Sequence, residues 1–138
     1  MFTSEVNATN QKQYVVEATA DDFSYTLDFP DRAGEAAAGA SPTTMLLVAL
    51  AGCHLMTAAS YFERQQWDNE GLSIQVRGTF NDVAGEWQVD TQVTLTVKAT
   101  LTEEQKQGLY DYIKRYCRVG SILENGKNTV DLTITVEA

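Results

Sequence analysis

Hydrophobic and polar residues alternate along several segments of the chain, and this period of two predicts β-strands. The predicted strands are residues 14–20, 23–29, 72–80, 87–98 and a closing strand with Val130, Leu132, Ile134 and Val136 facing inward. Turn residues separate the first two strands at Asp21-Asp22 and the next two at 81–85. We therefore expect two β-hairpins and a closing strand, preceded by a polar and frayed N-terminal dozen residues.

A long helix is predicted between the two hairpins. It begins at Ser41 and Pro42, since serine is a preferred N-cap and proline is tolerated at the first helical position. It continues to about Gln66, and its first half, residues 45–56, is apolar on every side. Such a helix is expected to be buried all round. One small sheet cannot cover it, so the pattern favours either two sheets or a dimer partner around it.

A second helix is predicted after Thr102, which can close a capping box with Gln105. Its apolar stripe has the helical spacing i, i+3, i+4, i+7. The stripe consists of Leu109, Tyr112, Ile113 and Tyr116. Cys117 then lies in the last turn, and a short connection follows Gly120. The order β-β-α-β-β-α-β, with mostly hairpin-linked strands, predicts a single α+β domain over residues 1–138 with an antiparallel sheet.

Length and charge exclude several classes of function. The 138 residues suit one domain, and the net charge of −9 argues against binding to nucleic acid or to anionic lipid. The first residues lack a basic start and an apolar core, and the apolar run 45–56 is too short to span a bilayer. We therefore expect a cytoplasmic protein, in which a structural disulfide is unusual.

Two cysteines are the candidates for chemistry. Cys53 lies in the apolar run of the first helix, and Cys117 lies far downstream. A thiol among apolar side chains is usually an inert small hydrophobe, but two helix cysteines can also be a reactive thiol and its resolving partner. A nucleophilic Cys53 would need a nearby cation to favour the thiolate. Arg32, in the loop before the helix, is the strongest candidate; the alternative for Arg32 is a solvated loop residue.

His54, the only histidine, follows Cys53 directly. Adjacent residues on a helix point about 100° apart, so this adjacency does not make a nucleophile–base pair. His54 is instead expected to be packed or to face a partner. Two distant cysteines and one histidine make a poor zinc set, so we expect no metal and no cofactor.

Two segments resemble the OsmC/Ohr family of osmotically induced and organic-hydroperoxide-resistance proteins. Residues 39–53 read GASPTTMLLVALAGC, which is similar to that family's Gly-x-(Asn/Ser)-Pro-Glu helix start and the cysteine that follows it. Residues 116–123 read YCRVGSIL and resemble the family's Cys-Pro-Val-Ser-x-x-Leu segment. The resemblance extends from about Tyr14 to Val136. It implies an OsmC-like α+β fold in an intertwined homodimer, whose two sheets wrap the long buried central helices.

The resemblance also implies a function and roles for site residues. Cys53 would attack an organic hydroperoxide, Cys117 would resolve the sulfenate as a disulfide, and an external dithiol would restore both thiols. Arg32 lies within one residue of the family's loop arginine. Thr43 stands where the family has glutamate and cannot form the ion pair with an arginine; Glu35 is a candidate substitute in the loop.

Two alternatives to a peroxidase remain at this point. The same scaffold could be a binding protein that holds a small apolar ligand in a pocket at the dimer interface while the cysteines stay reduced. Both cysteines could also be core residues without chemistry. Loss of one thiol per chain on mixing with an alkyl hydroperoxide would distinguish the peroxidase from both.

Overall fold

The structure, a computed structural model, describes residues 1–29 and 34–138. Within these residues the strands are β1 (Val6–Lys12), β2 (Val15–Ala20), β3 (Phe23–Leu27), β4 (Gly71–Val83), β5 (Glu86–Lys98) and β6 (Thr129–Glu137). The helices are α1 (Pro42–Gln65), α2 (Glu103–Tyr116) and α3 (Arg118–Glu124). Residues 1–46 and 47–138 form two compact units, and the boundary between them falls within α1.

The first unit contains a three-stranded antiparallel sheet in the order β1-β2-β3. The predicted hairpin of β2 and β3 is confirmed. The prediction of a frayed N-terminus is wrong, because β1 pairs with β2 along its length. All seven side chains of β1 are exposed. Its sequence therefore lacks the apolar alternation that reveals a strand, and backbone hydrogen bonds hold it in place.

Asp28 ties the end of β3 to the segment that leads into α1. Its buried carboxylate accepts hydrogen bonds from the backbone N–H of Phe29 at 2.8 Å and of Ala38 at 3.0 Å. Gly39 passes so close to β3 that a Cβ at this position would overlap the Thr26 carbonyl oxygen. Only glycine fits this approach, so the path of the chain toward α1 is closely constrained.

The long predicted helix is confirmed as α1. Ser41 Oγ accepts the backbone N–H of Thr44 at 3.2 Å and caps the helix start. In the second unit the fully buried positions of α1 recur every four residues, at Leu50, His54, Ala58 and Phe62. The sequence predicted burial on all sides, but a single chain leaves Val48 and Met56 55% and 75% exposed. One face of α1 therefore packs within its own chain, and apolar side chains remain uncovered on another.

The second unit contains a three-stranded sheet in the order β4-β5-β6. β4 and β5 form the predicted hairpin, whereas β5 and β6 are parallel, which corrects the expectation of an antiparallel sheet. α2 and α3 connect β5 to β6, and such a helical crossover returns the chain in its original direction. The core packs α1, α2 and α3 against the sheet; its buried members include Leu50, Phe62, Val93, Leu95, Leu109, Ile113, Leu132 and Ile134.

The capping box predicted for α2 is present. The Gln105 N–H donates to Thr102 Oγ1 at 3.1 Å, and the Thr102 N–H donates to Gln105 Oε1 at 2.8 Å. α2 ends at Tyr116, so Cys117 lies between α2 and α3 rather than in the last turn of α2. α3 replaces the predicted short connection. Its seven residues are too few to show a periodic pattern, and its N-cap is a cysteine rather than a usual capping residue.

Candidate redox site

The two cysteines meet in the second unit. Cys53 lies midway along α1 and is partly buried, whereas Cys117 is only 1% exposed at the α2–α3 junction. Both are free thiols, and they lie near each other, close enough for Cys53 to raise the pKa of Cys117. The packing of α1 against α2 and α3 brings them together, with Leu50 and Ile113 in the same core.

The Cys117 sulfur is the N-cap of α3 and has two further polar neighbours. The Gly120 N–H donates to it at 3.4 Å, and His54 Nδ1 lies 3.1 Å from it. A Cβ at Gly120 would lie 3.2 Å from His54 Cε1 and 3.4 Å from the sulfur. The absence of a side chain at Gly120 therefore lets α3 pack closely against both groups.

His54 is buried and neutral. Burial, with a smaller effect of the Lys114 charge, lowers its pKa from 6.5 to about 4, against a weaker raising effect of Glu124. Its Nε2 atom is buried and has no hydrogen-bond partner among residues 1–29 and 34–138. The imidazole is therefore uncharged near neutral pH and has one nitrogen engaged, toward Cys117.

Cys117 is a protonated thiol at neutral pH. Burial raises its pKa to about 12, and the neighbouring Cys53 adds to the effect. The backbone N–H groups of Gly120 and Val119 act in the opposite direction because they favour the thiolate. The buried Cys117 thiol therefore keeps its proton, and the more exposed Cys53 is the one that a reagent from solution can reach first.

The other predicted site residues belong to the first unit or fall outside the described residues. Arg32 lies outside the described residues. Glu35 and Thr43 are exposed residues of the first unit, and Thr43 Oγ1 lies 3.1 Å from Ser41 Oγ. The roles predicted for these three residues in peroxide binding stay predictions. Among the described residues, no group of three His, Cys, Asp or Glu side chains is arranged to hold a metal ion.

His54 is a residue of this site to which the sequence analysis gave no catalytic role. Its adjacency to Cys53 suggested no contact with that thiol, and its contact is instead with Cys117, 63 residues away. One signal was available, since His54 shares the four-residue spacing of the buried positions Leu50 and Ala58. That spacing indicates the core-facing side of α1, but not which residue lies opposite.

Comparison with known proteins identifies the family. Residues 34–133 match the family model described as OsmC-like protein. The chain belongs to the OsmC-like protein family. The resemblance inferred from the two cysteine segments is thereby confirmed, and with it the OsmC-like α+β fold. No curated protein matches the sequence.

Solved structures of OsmC-like proteins have the same fold as this chain. An OsmC-like protein from Mycoplasma pneumoniae is 20% identical, with a TM-score of 0.83 and 99% of each chain covered. An organic hydroperoxide resistance protein from Elizabethkingia anophelis is 14% identical, with a TM-score of 0.80 and coverage of 99% of this chain and 98% of that one. The organic hydroperoxide resistance protein OsmC of Legionella pneumophila is 14% identical, with a TM-score of 0.77 and the same coverage.

The OsmC-like fold also explains the apolar character of α1. By length and composition alone this helix of 24 residues could cross a membrane. Leu50, Ala58 and Phe62 pack in the core of the second unit. α1 is therefore the core helix of the fold.

Proposed function

We propose that this protein reduces organic hydroperoxides in the cytoplasm, with Cys53 as the nucleophile and Cys117 as the resolving thiol. The observation that carries the proposal is the proximity of the two thiols, one partly exposed and one buried. Only Cys53 is accessible to a peroxide, and Cys117 is close enough to resolve what forms on it. The family includes proteins named for organic hydroperoxide resistance.

The proposed reaction has two steps and a reset. The Cys53 sulfur attacks the hydroperoxide, the O–O bond breaks, an alcohol leaves, and a sulfenic acid remains on Cys53. Cys117 then displaces the sulfenic oxygen as water, and a disulfide forms. An external dithiol reduces this disulfide by thiol–disulfide exchange and restores both thiols.

Other parts of the proposal come from the family resemblance. Arg32 favours the Cys53 thiolate and orients the peroxide, and Glu35 replaces the ion pair that Thr43 cannot form. The protein acts as a homodimer without a cofactor. Support for the dimer comes from Val48 and Met56, apolar side chains of the core helix that a single chain leaves exposed.

The test follows thiol loss after rapid mixing with an alkyl hydroperoxide. We expect the wild-type protein to lose its thiols far faster than free cysteine does and to form one disulfide per chain. Cys53→Ser should abolish the reaction, and Cys117→Ser should stop at the sulfenic acid, which a sulfenate-trapping reagent detects by mass. Arg32→Ala should slow the first step and leave folding nearly intact. If wild-type thiols react no faster than free cysteine, the peroxidase function is wrong.

A second candidate function is the binding of a small apolar ligand. A groove of about 240 Å³ in the first unit has a mainly apolar lining. Its lining includes Tyr14, Val16, Leu27 and Phe29. A ligand of this kind would raise the melting temperature of the protein and leave both thiols reduced, whereas the peroxidase function requires their oxidation.

A further inference from the structure

The surroundings of His54 and of the Cys117 sulfur indicate which ring nitrogen of His54 carries the proton. Cys117 has a single S–H proton. Cys53 lies near this thiol and contributes to the raised pKa of Cys117. The Gly120 N–H already points at the sulfur from α3. We assign the remaining contact, 3.1 Å from His54 Nδ1, as an imidazole N–H that donates to the sulfur, because the other tautomer would place an N–H at the buried Nε2, which has no partner among the described residues.

The buried surroundings of His54 agree with this tautomer. A neutral imidazole has one N–H and one bare nitrogen. If the proton is at Nδ1, the bare nitrogen is Nε2, which is buried and has no hydrogen-bond partner within the described part of the chain. A buried acceptor without a partner is tolerated more readily than a buried N–H without one. The charged groups that act on the ring are Lys114 on α2 and Glu124 on α3, and their effects oppose each other.

We propose that His54 is a catalytic residue of the disulfide-forming step, in which its Nδ1–H stabilises the negative charge that the Cys117 sulfur carries once its proton leaves and until the S–S bond has formed. The Gly120 N–H is the second donor to the same sulfur. Fixed donors aimed at a developing charge in a site without water are the means by which enzymes stabilise oxyanions. The sulfenic acid on Cys53 rests on the proposed peroxidase function. The stabilisation of the Cys117 sulfur by the His54 N–H applies to any leaving group that Cys53 carries.

The step balances without a further reactant. The Cys117 sulfur forms the S–S bond with an electron pair, the S–O bond of the Cys53 sulfenic acid breaks, and the oxygen leaves with the bonding pair. The S–H proton of Cys117 passes to that oxygen, so water is released. The Cys117 sulfur is oxidised from the thiol level to the disulfide level, and the sulfenic sulfur of Cys53 is reduced by the same single step to that level, so no external oxidant or reductant is needed. His54 keeps its proton throughout and acts as a donor rather than as a base.

The test needs a leaving group that does not depend on peroxide chemistry. Dithiobis(nitrobenzoate) reacts with the accessible Cys53, releases one coloured thiolate and leaves a mixed disulfide. Attack by Cys117 on this mixed disulfide breaks the S–S bond to the reagent, closes the protein disulfide and releases a second coloured thiolate, while the Cys117 proton passes to the solvent. The rate of the second release therefore measures the closure step alone, and Cys117→Ser should release only one equivalent.

Two substitutions of His54 separate donation from packing and from base catalysis. His54→Leu keeps a buried side chain of similar size and removes the donor. His54→Asn places an amide N–H near the position of Nδ1 and cannot accept a proton. We expect His54→Leu to slow the second release roughly 10- to 100-fold, somewhat less than the loss of an oxyanion-hole donor, because sulfur is a weaker acceptor than oxygen. His54→Asn should stay within about threefold of the wild type, as should the first release in both variants.

The closure rates of the two variants test the role of the His54 N–H. Closure at the wild-type rate in His54→Leu would show that the contact has no role in the step. Equal slowing in both variants would show that a base or the ring's shape, and not the N–H, is required; either result overturns the inference. If His54→Leu does not fold, His54→Met takes its place, since methionine adapts to irregular gaps. If no thiol reacts with hydroperoxide but closure still depends on the donor at His54, the peroxidase function fails and this inference stands.

Discussion

His54 should make the folded protein less stable as the pH falls, because its burial disfavours the imidazolium. The pKa of His54 is lowered to about 4 in the folded chain, mainly by burial and then by Lys114. In the unfolded chain it returns to the ordinary value of 6.5. Between these two values the unfolded chain binds more protons than the folded chain. The free energy of unfolding is therefore highest above pH 6.5 and falls as the pH drops through this window.

The size of the effect follows from the two pKa values. The full loss, reached below about pH 4, is about 3.4 kcal/mol, since one pKa unit corresponds to about 1.36 kcal/mol. At about pH 5 the expected loss is already about 2 kcal/mol, because His54 is then almost fully protonated when unfolded and about one-tenth protonated when folded. A loss of this size is a large part of the 5–15 kcal/mol that stabilises an ordinary domain.

The assay is urea unfolding of the wild type and of His54→Asn at about pH 7.5 and about pH 5, at one protein concentration. Asparagine does not titrate, so the variant lacks the His54 contribution at both pH values. Carboxylates also titrate in this range, but they are common to both proteins and cancel in the comparison. We expect the wild type to lose about 2 kcal/mol more than the variant between the two pH values, or roughly 1 M in urea midpoint.

The refuting result is an equal loss in the two proteins. It would show that the folded chain accommodates the imidazolium at no cost, so that His54 is not held neutral by burial. A lower stability of His54→Asn at both pH values would not bear on whether burial keeps His54 neutral. That result would measure the packing lost with the smaller side chain, which does not vary with the charge of the ring.

Two further predictions concern the rest of the molecule. Thr102→Ala removes the capping box of α2 and should lower the free energy of unfolding by about 1 kcal/mol in the same urea assay at neutral pH; an unchanged midpoint would show that the cap contributes nothing. The exposed apolar side chains Val48 and Met56 predict a homodimer, so light scattering at micromolar concentration should give a mass of about twice 15.2 kDa; a mass near 15.2 kDa would contradict the dimer.

Local signals in the sequence were enough for most elements of the fold. Alternating residues located β4 and β5, and the capping pair Thr102 and Gln105 located the start of α2. Ser41 and Pro42 marked the start of α1. In each case the deciding interaction joins residues close in sequence, such as a cap, a turn or the two faces of one strand.

Elements without such signals were missed. β1 exposes all its side chains, so no hydrophobic period marks it, and only its pairing with β2 makes it a strand. α3 is one short stretch capped by the sulfur of Cys117. The parallel pairing of β6 with β5 depends on the path of the connecting helices, which local patterns do not specify.

For the candidate site too, local sequence signals indicated some residues, and only the tertiary structure showed the others. The two cysteine segments, through their family resemblance, made Cys53 and Cys117 the candidates from sequence alone, because each lies in a short local motif. The contact of His54 with Cys117 joins residues 63 positions apart. Helix geometry could show only that His54 does not face Cys53. Which group it does face was decided by the packing of α1 against the α2–α3 junction, where Gly120 leaves room for the imidazole and the sulfur to meet.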